Sequence, residues 1–195
     1  MTTATAQTTT TTTAAPVVSP VTKWVIDQAH SEVGFRVRHM MVSWTRGKFD
    51  TFEGTLELDS NDVTKSKVDV KIDASSINTN AKDRDTHLRS ADFFDAANFP
   101  FLRFVSQKVE AAKDGGLRVL GELEIRGTKK AVALDVEPLT PAAKDPWGGT
   151  RRGTRAVTKL NRKDFGLTWN AGLELGGVLV GDAVEIHLEI ELIQK

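Results

Sequence analysis

From Trp24 onward the chain alternates apolar and polar residues with a period of two, in one short stretch after another. Val33, Phe35 and Val37 share one face, and Glu32, Gly34, Arg36 and Arg38 take the other. Before them stand Trp24 and Ile26, separated by a phase shift at Asp27–Ser31. Phe52, Gly54, Leu56 and Leu58 alternate with Glu53, Thr55 and Glu57; Val68, Val70 and Ile72 alternate with charges. Phe101 to Val109 reads as a strand with apolar residues on both faces. Leu117, Val119, Gly121, Leu123 and Ile125 form a further inward set, as do Val132, Leu134 and Val136. Arg151 to Leu160 resumes the strand pattern. The last stretch is the most regular, with Val184, Ile186, Leu188, Ile190 and Leu192 opposite Glu185, His187, Glu189 and Glu191. Period-two alternation marks strands with one dry face and one wet face.

About eight strands result, joined mostly by turn chemistry such as Asp59-Ser60-Asn61-Asp62 and Lys113-Asp114-Gly115-Gly116. Parallel sheets covered by helices show continuous apolar runs instead, so the sheet is antiparallel. A sandwich and a closed barrel both fit the pattern. Closure has the advantage of removing exposed edges, and eight strands enclose an interior that side chains fill or that holds one slender ligand. Met40 to Thr45 is apolar and irregular and reads as a helical turn or a bulge.

One stretch breaks the alternation. Between Ser76 and Phe104 charges and aromatics crowd together: Arg84-Asp85-Thr86-His87-Leu88-Arg89, then Asp92-Phe93-Phe94-Asp95, then Phe99-Pro100. A helical turn or two is expected over Ala81–Ser90, capping an apolar interior. In such a helix Asp85 and Arg89 are four apart and able to pair on the surface. Arg84 and His87 either meet the polar head of a ligand, guanidinium groups being suited to phosphate, or tie the cap to the barrel. Phe93 and Phe94 wedge the cap against apolar wall or close over a ligand tail.

Composition narrows the function classes. Lys and Arg balance Asp and Glu, 26 against 26, which argues against a nucleic-acid binder. Absence of cysteine excludes disulfides, thiolate zinc sites and cysteine nucleophiles. Residues 1–21 form a Thr-rich low-complexity arm that is expected to be disordered, and residues 22–195 form one domain. The arm has neither the basic start nor the apolar run of a secretion signal, and no stretch is apolar enough to span a membrane, so a soluble cytoplasmic protein is expected. Asp27, His30 and Ser31 are the residue types of a catalytic triad, but no nucleophile elbow, phosphate loop or metal motif accompanies them. His30, His39 and His87 are too scattered to signal zinc. Asn161, Arg162 and Asp164 read as a polar corner fixing a turn, and Arg151, Arg152 and Arg155 as a solvated basic patch.

Ordered motifs run the length of the domain: His30-Ser31 before Phe35 and His39, Gly47-x-Phe49, Phe52-x-Gly54, Ser76-Ile77-x-Thr79, Arg84-Asp85-x-His87-Leu88, Asp92-Phe93-Phe94, Phe99-Pro100, Gly121-x-Leu123, Arg126-Gly127 and Asn161-Arg162-x-Asp164-Phe165-Gly166. Together they resemble the YceI family of polyisoprenoid-binding proteins. The resemblance implies an all-β fold with a short helical cap, an eight-stranded antiparallel lipocalin-like β-barrel, holding a long isoprenoid or similar lipid, and a homodimer. It implies a binding protein rather than an enzyme, with no cofactor beyond the lipid. Many members carry a secretion signal, from which this chain departs. Candidate tunnel residues are Phe35, Val37, Phe52, Leu56, Val70, Ile72, Leu88, Phe93, Phe94, Phe104 and Leu123; candidate polar-head or cap residues are His39, Arg84 and His87. The competing readings are a small-molecule hydrolase or isomerase using pocket histidines, and a stress-related interaction module with a filled core.

Overall fold

A computed structural model describes residues 20–173 and 176–195; most of the Thr-rich arm lies outside the described residues. Twelve strand segments form one antiparallel sheet: β1 (Val21–Ile26), β2 (Glu32–His39), β3 (Ser43–Phe49), β4 (Phe52–Asp59), β5 (Lys67–Asp73), β6 (Ile77–Asn78), β7 (Phe101–Ala111), β8 (Leu117–Ile125), β9 (Thr128–Val136), β10 (Ala143–Lys144), β11 (Thr150–Asn161) and β12 (Val180–Gln194). The single α-helix among the described residues, α1, spans Lys82–Arg89. Pairing runs β11-β9-β8-β7-β5-β4-β1-β12, and β12 bonds back to β11, so eight segments close a barrel.

The remaining short segments continue strands of the ring. β1 and β2 both pair with β12, β3 pairs with β2 where β4 pairs with β1, and β6 extends β5 by pairing with β3. Two of the breaks are made by aspartates. Asp27 accepts from Ala29 N at 3.1 Å and Asp73 from Ser75 N at 2.8 Å, each capping a 3-10 turn that interrupts the ladder. This is the eight-strand count that alternation predicts, with the phase shift at Asp27–Ser31 realised as a turn.

Met40–Val42 is neither helix nor bulge. It is the tip of the β2–β3 hairpin, with Met40 (φ 51°) and Met41 (φ 59°) both left-handed. β9 and β11 pair only at Val136–Ala156 and Asp135–Val157 before diverging. Phe165, 2 % exposed, packs into the wedge from the turn Arg162–Phe165. No helix among the described residues is long and apolar enough to cross a membrane.

The main buried core runs from the cap into the barrel, and at the far end Trp24, Leu58 and Leu192 form a separate buried cluster. On the outer surface of that far end an ion network joins β11 and β12 to the turns that follow β1 and β10. Arg151 donates from Nη1 to Asp27 and Glu191 and from Nε to Asp145 at 2.8 Å. The expectation of a solvated patch therefore holds for Arg155, which pairs with Glu189 on the surface, but not for Arg151. Hydrogen bonds from Arg151 and then His30 pull the Asp27 carboxyl down from 3.8 to about 2, and Arg151 lowers Asp145 as well.

A carboxyl held below its unfolded value stabilises the fold fully above that value and loses the contribution as pH falls through the folded one. Arg151→Gln is expected to lower the thermal midpoint at neutral pH and to flatten its decline between about pH 4 and pH 2. Differential scanning calorimetry across that range checks this; an unchanged acid slope contradicts it.

Candidate functional site

The inner faces of the strands enclose an apolar cavity of about 200 Å³. Its wall takes residues from every strand of the ring: Ile26, Leu56, Val70, Ile72, Phe104, Val119, Leu123, Leu134, Ala156 and Leu188 among them. Polar residues on the wall are few: Thr55, Ser66, Thr154 and Thr158. A second apolar cavity, about 120 Å³, lies toward the cap between Val37, Leu88, Phe93, Phe94, Leu160 and Val184. Phe35, Phe49, Leu102, Ile125 and Ile186 line both, so the two are lobes of one interior separated by a waist of these side chains.

Native interiors leave few voids larger than a water molecule. An unfilled apolar void of this size is expected to cost on the order of 5 kcal/mol, comparable to the whole stability of a small domain. Apolar voids of about 150 Å³ remain dry and accept small apolar guests. The interior is thus built around empty space that an apolar molecule fits chemically. Its main lobe is nevertheless smaller than the roughly 300–1,000 Å³ typical of drug-sized ligands. A long chain has to join the lobes by turning the Phe35 and Phe49 rings aside, or displace the cap.

Among the sequence-predicted tunnel residues, Leu56, Val70, Ile72, Phe104 and Leu123 line the main lobe, Phe35 lines both, and Val37, Leu88, Phe93 and Phe94 line the cap lobe. Phe52 is buried in the core, 5 % exposed, but outside both walls. His39 ends β2 in phase with Val33, Phe35 and Val37, half-buried opposite Ser43 and Val180, and lines neither lobe.

The cap is a locked structure. Asp85 is buried and accepts from Thr79 N at 2.8 Å and from the Thr79 hydroxyl. Arg84 donates from Nε to that hydroxyl at 2.7 Å and from Nη2 to the Thr79 carbonyl at 2.7 Å. Arg89 donates to the carbonyls of Ser75 and Ile77. Asp85 and Arg89 therefore do not form the surface pair expected from their spacing; each reaches back to the segment before the helix. His87 bonds Asp92 at 2.9 Å and lies edge-on to Phe93 and to Trp169, at 5.1 and 4.6 Å between ring centroids. Of the two roles open to Arg84 and His87, tying the cap to the barrel is the one this geometry supports.

Two arginines on the interior escaped the sequence reading. Arg162, 6 % exposed, lines the cap lobe. Its guanidinium donates to the carbonyls of Gly181 (3.0 Å), Leu167, Trp169 (2.8 Å) and Val180 (3.4 Å), pinning the loop that follows β11 to the start of β12. Burial pulls its pKa below the ordinary value, and Asp182 opposes that pull. Arg152 sits at the other end of β11. The signal for both was present: Thr154, Ala156, Thr158 and Leu160 form the inward row of β11, and Arg152 and Arg162 extend it in phase.

Catalytic groupings do not assemble on the interior. The Ser31 hydroxyl is bonded to backbone, accepting from Glu191 N at 2.9 Å, while His30 bonds Asp27 at 2.9 Å. Among the described residues Asp27, His30 and Glu191 have the spacing of metal ligands, but the Arg151 guanidinium already neutralises both carboxylates. His39 and His87 belong to no such cluster.

The profile of the YceI-like domain matches residues 24–192. A UPF0312 protein of Vibrio vulnificus is 38% identical over 156 residues, 79% of this chain and 82% of that protein. In structure the chain is similar to the YCEI protein of Campylobacter jejuni, with a TM-score of 0.69, 30% identity, and coverage of 87% of this chain and 96% of the other. It also shares its fold with a polyisoprenoid binding domain from Saccharophagus degradans implicated in plant cell wall breakdown, at a TM-score of 0.64 and 15% identity over 88% of this chain and 98% of that one.

Asp85→Ala removes the acceptor shared by the Thr79 amide and hydroxyl and is expected to cost about 2 kcal/mol. Hydrogen exchange should show the loss confined to residues 79–95, with β11 and β12 still protected. Uniform loss across the barrel contradicts a cap that is locked locally.

Proposed function

Because the chain belongs to the YceI family, we propose that it binds a long-chain isoprenoid or similar lipid, the apolar tail occupying the main lobe and, once the waist opens, the cap lobe as well. The observation that carries this reading is the dry, nearly unbroken apolar wall around a void that costs stability while empty. Burial of each methylene contributes about 0.8 kcal/mol, so a chain needs no polar contact along its length to be held. Carriage, storage and sensing all follow from the same retention of lipid. Binding rather than turnover is favoured because the histidines that would serve a hydrolase or isomerase are engaged in cap and surface contacts away from the cavity wall. A filled-core interaction module is disfavoured by the cavity itself. A homodimer is part of the proposal, from the family resemblance.

Native mass spectrometry of the purified full chain, followed by solvent extraction, is expected to show a stoichiometric lipid and to report the oligomeric state. Ala156→Phe fills the main lobe from a 5 % exposed wall position and should abolish retention with the fold intact. Phe35→Ala removes one of the two rings of the waist and should shift the retained or added chains toward greater length. A protein that stays lipid-free after incubation with prenyl quinones and prenyl phosphates contradicts the proposal.

A further inference from the structure

The inward row of β11 ends, away from the cap, on a charge. In the β11–β12 ladder Arg152 is directly opposite Leu192, as Thr154 is opposite Ile190, Ala156 opposite Leu188 and Thr158 opposite Ile186. Directly opposed residues share a face. Thr154, Ala156, Thr158, Ile186, Leu188, Ile190 and Leu192 all line the main lobe, so Arg152 belongs to the same inner face, one step beyond the lobe's end.

Its partners are missing. Arg152 Nε is buried and has no hydrogen-bond partner among the described residues, where it is the one buried side-chain polar atom so placed. No ion pair with a carboxylate holds the guanidinium among those residues either. The carboxylates of Asp27, Asp145 and Glu191 at this end of the barrel are all committed to Arg151, which falls on the opposite face of the strand. The contact that does position Arg152 is apolar. Its guanidinium carbon lies 5.7 Å from the ring centroid of Trp24, which is 3 % exposed and packs with Leu58 and Leu192 at the floor of the lobe. The indole is itself satisfied, donating to the Thr22 hydroxyl at 2.9 Å.

A buried donor left unpaired calls for an explanation. Arg162, in phase on the same strand row at the capped end, shows the alternative: its donors are taken up by backbone carbonyls. Resting on the lipid-binding reading, we propose that Arg152 is the head-group site of the cavity and that the ligand is an anionic amphiphile. Its carboxylate or phosphate meets the guanidinium over Trp24, and its tail runs from there into the main lobe toward the cap. A guanidinium presents paired donors that match either oxyanion, and the low-dielectric surroundings strengthen the contact. The head therefore lies at the end of the barrel opposite the cap, not at Arg84 or His87, which are bonded to Thr79 and Asp92.

The test compares ligands of equal tail and different head on the delipidated full chain: lauric acid against lauryl alcohol, and farnesyl phosphate against farnesol, by isothermal titration. The wild type is expected to bind the anionic member of each pair about tenfold more tightly. Arg152→Met should remove that preference while keeping the affinity for the alcohols, which also certifies its fold, and Arg152→Lys should retain part of it. A preference for laurate without one for the phosphate, or the reverse, identifies which oxyanion the site takes and supports the assignment. Equal binding of both members by the wild type, or a preference that survives in Arg152→Met, overturns the head-group assignment and leaves the lipid-binding reading standing. Binding of neither member by the wild type overturns both.

Discussion

Closure of the barrel depends on β12. It carries a hydrogen-bonded neighbour along each edge: β11 over almost its whole length on one side, β2 and then β1 on the other. A strand in that position has no free edge, and its loss opens the ring in one step. The turn chemistry around its start has the same purpose. Arg162 grips carbonyls on both sides of the connecting loop, and Asn170 accepts from Val180 N and donates to Val180 O. With the first residues of β12 fixed, its inward row from Val184 to Leu192 falls in register with that of β11, and the continuous apolar wall follows from that register.

Closure alone does not explain why the interior is partly empty. A ring of eight strands with uniformly large inward residues would fill itself. Here β11 contributes Thr154, Ala156 and Thr158 where its neighbours contribute Ile190, Leu188 and Ile186, so one side of the wall is shallow. Gly121 on β8 acts similarly: a Cβ there would sit 2.5 Å from the Phe104 ring, so the glycine is what lets that ring lie flat against the wall. The cavity is the consequence of small residues at specified inward positions, not of loose packing.

The strand content and its inward faces were legible because alternation is a direct imprint of a wall with water on one side. Val68–Ile72, Leu117–Ile125 and Val184–Leu192 face the cavity as their periodicity requires. The cap was legible as a break in that pattern, and α1 falls inside the expected span. What the pattern hid was partnering. Asp85 and Arg89 have the spacing of a helical surface pair, but the Thr79 amide and hydroxyl for Asp85, and the Ser75 and Ile77 carbonyls for Arg89, outcompete a solvated side chain. Arg151, Arg152 and Arg155 look alike in sequence. Alternation sends Arg151 and Arg155 outward and Arg152 inward, and only the position of Asp27, brought from a distant segment, and of Asp145 in the preceding loop separates the network from the exposed pair.

The two ends of β11 define a polarity for whatever occupies the barrel. At the capped end the donors of the interior guanidinium are already taken: carbonyls accept from Arg162, and His87 lies edge-on to Phe93 and Trp169 and bonds Asp92. An apolar terminus meets no electrostatic penalty there. At the far end Trp24 and Leu192 close the lobe beneath a guanidinium whose buried Nε has no acceptor. An ionic terminus meets its counter-charge there without crossing the apolar lobe. A molecule with one apolar and one charged end is thus oriented by the wall before any specific shape is matched, because the reversed orientation buries its charge beside Phe93, Leu88 and an Arg162 whose donors already serve backbone carbonyls. The waist at Phe35 and Phe49 then sets how far the tail extends, since those rings are the side chains common to both lobes that have to turn before a longer chain can pass.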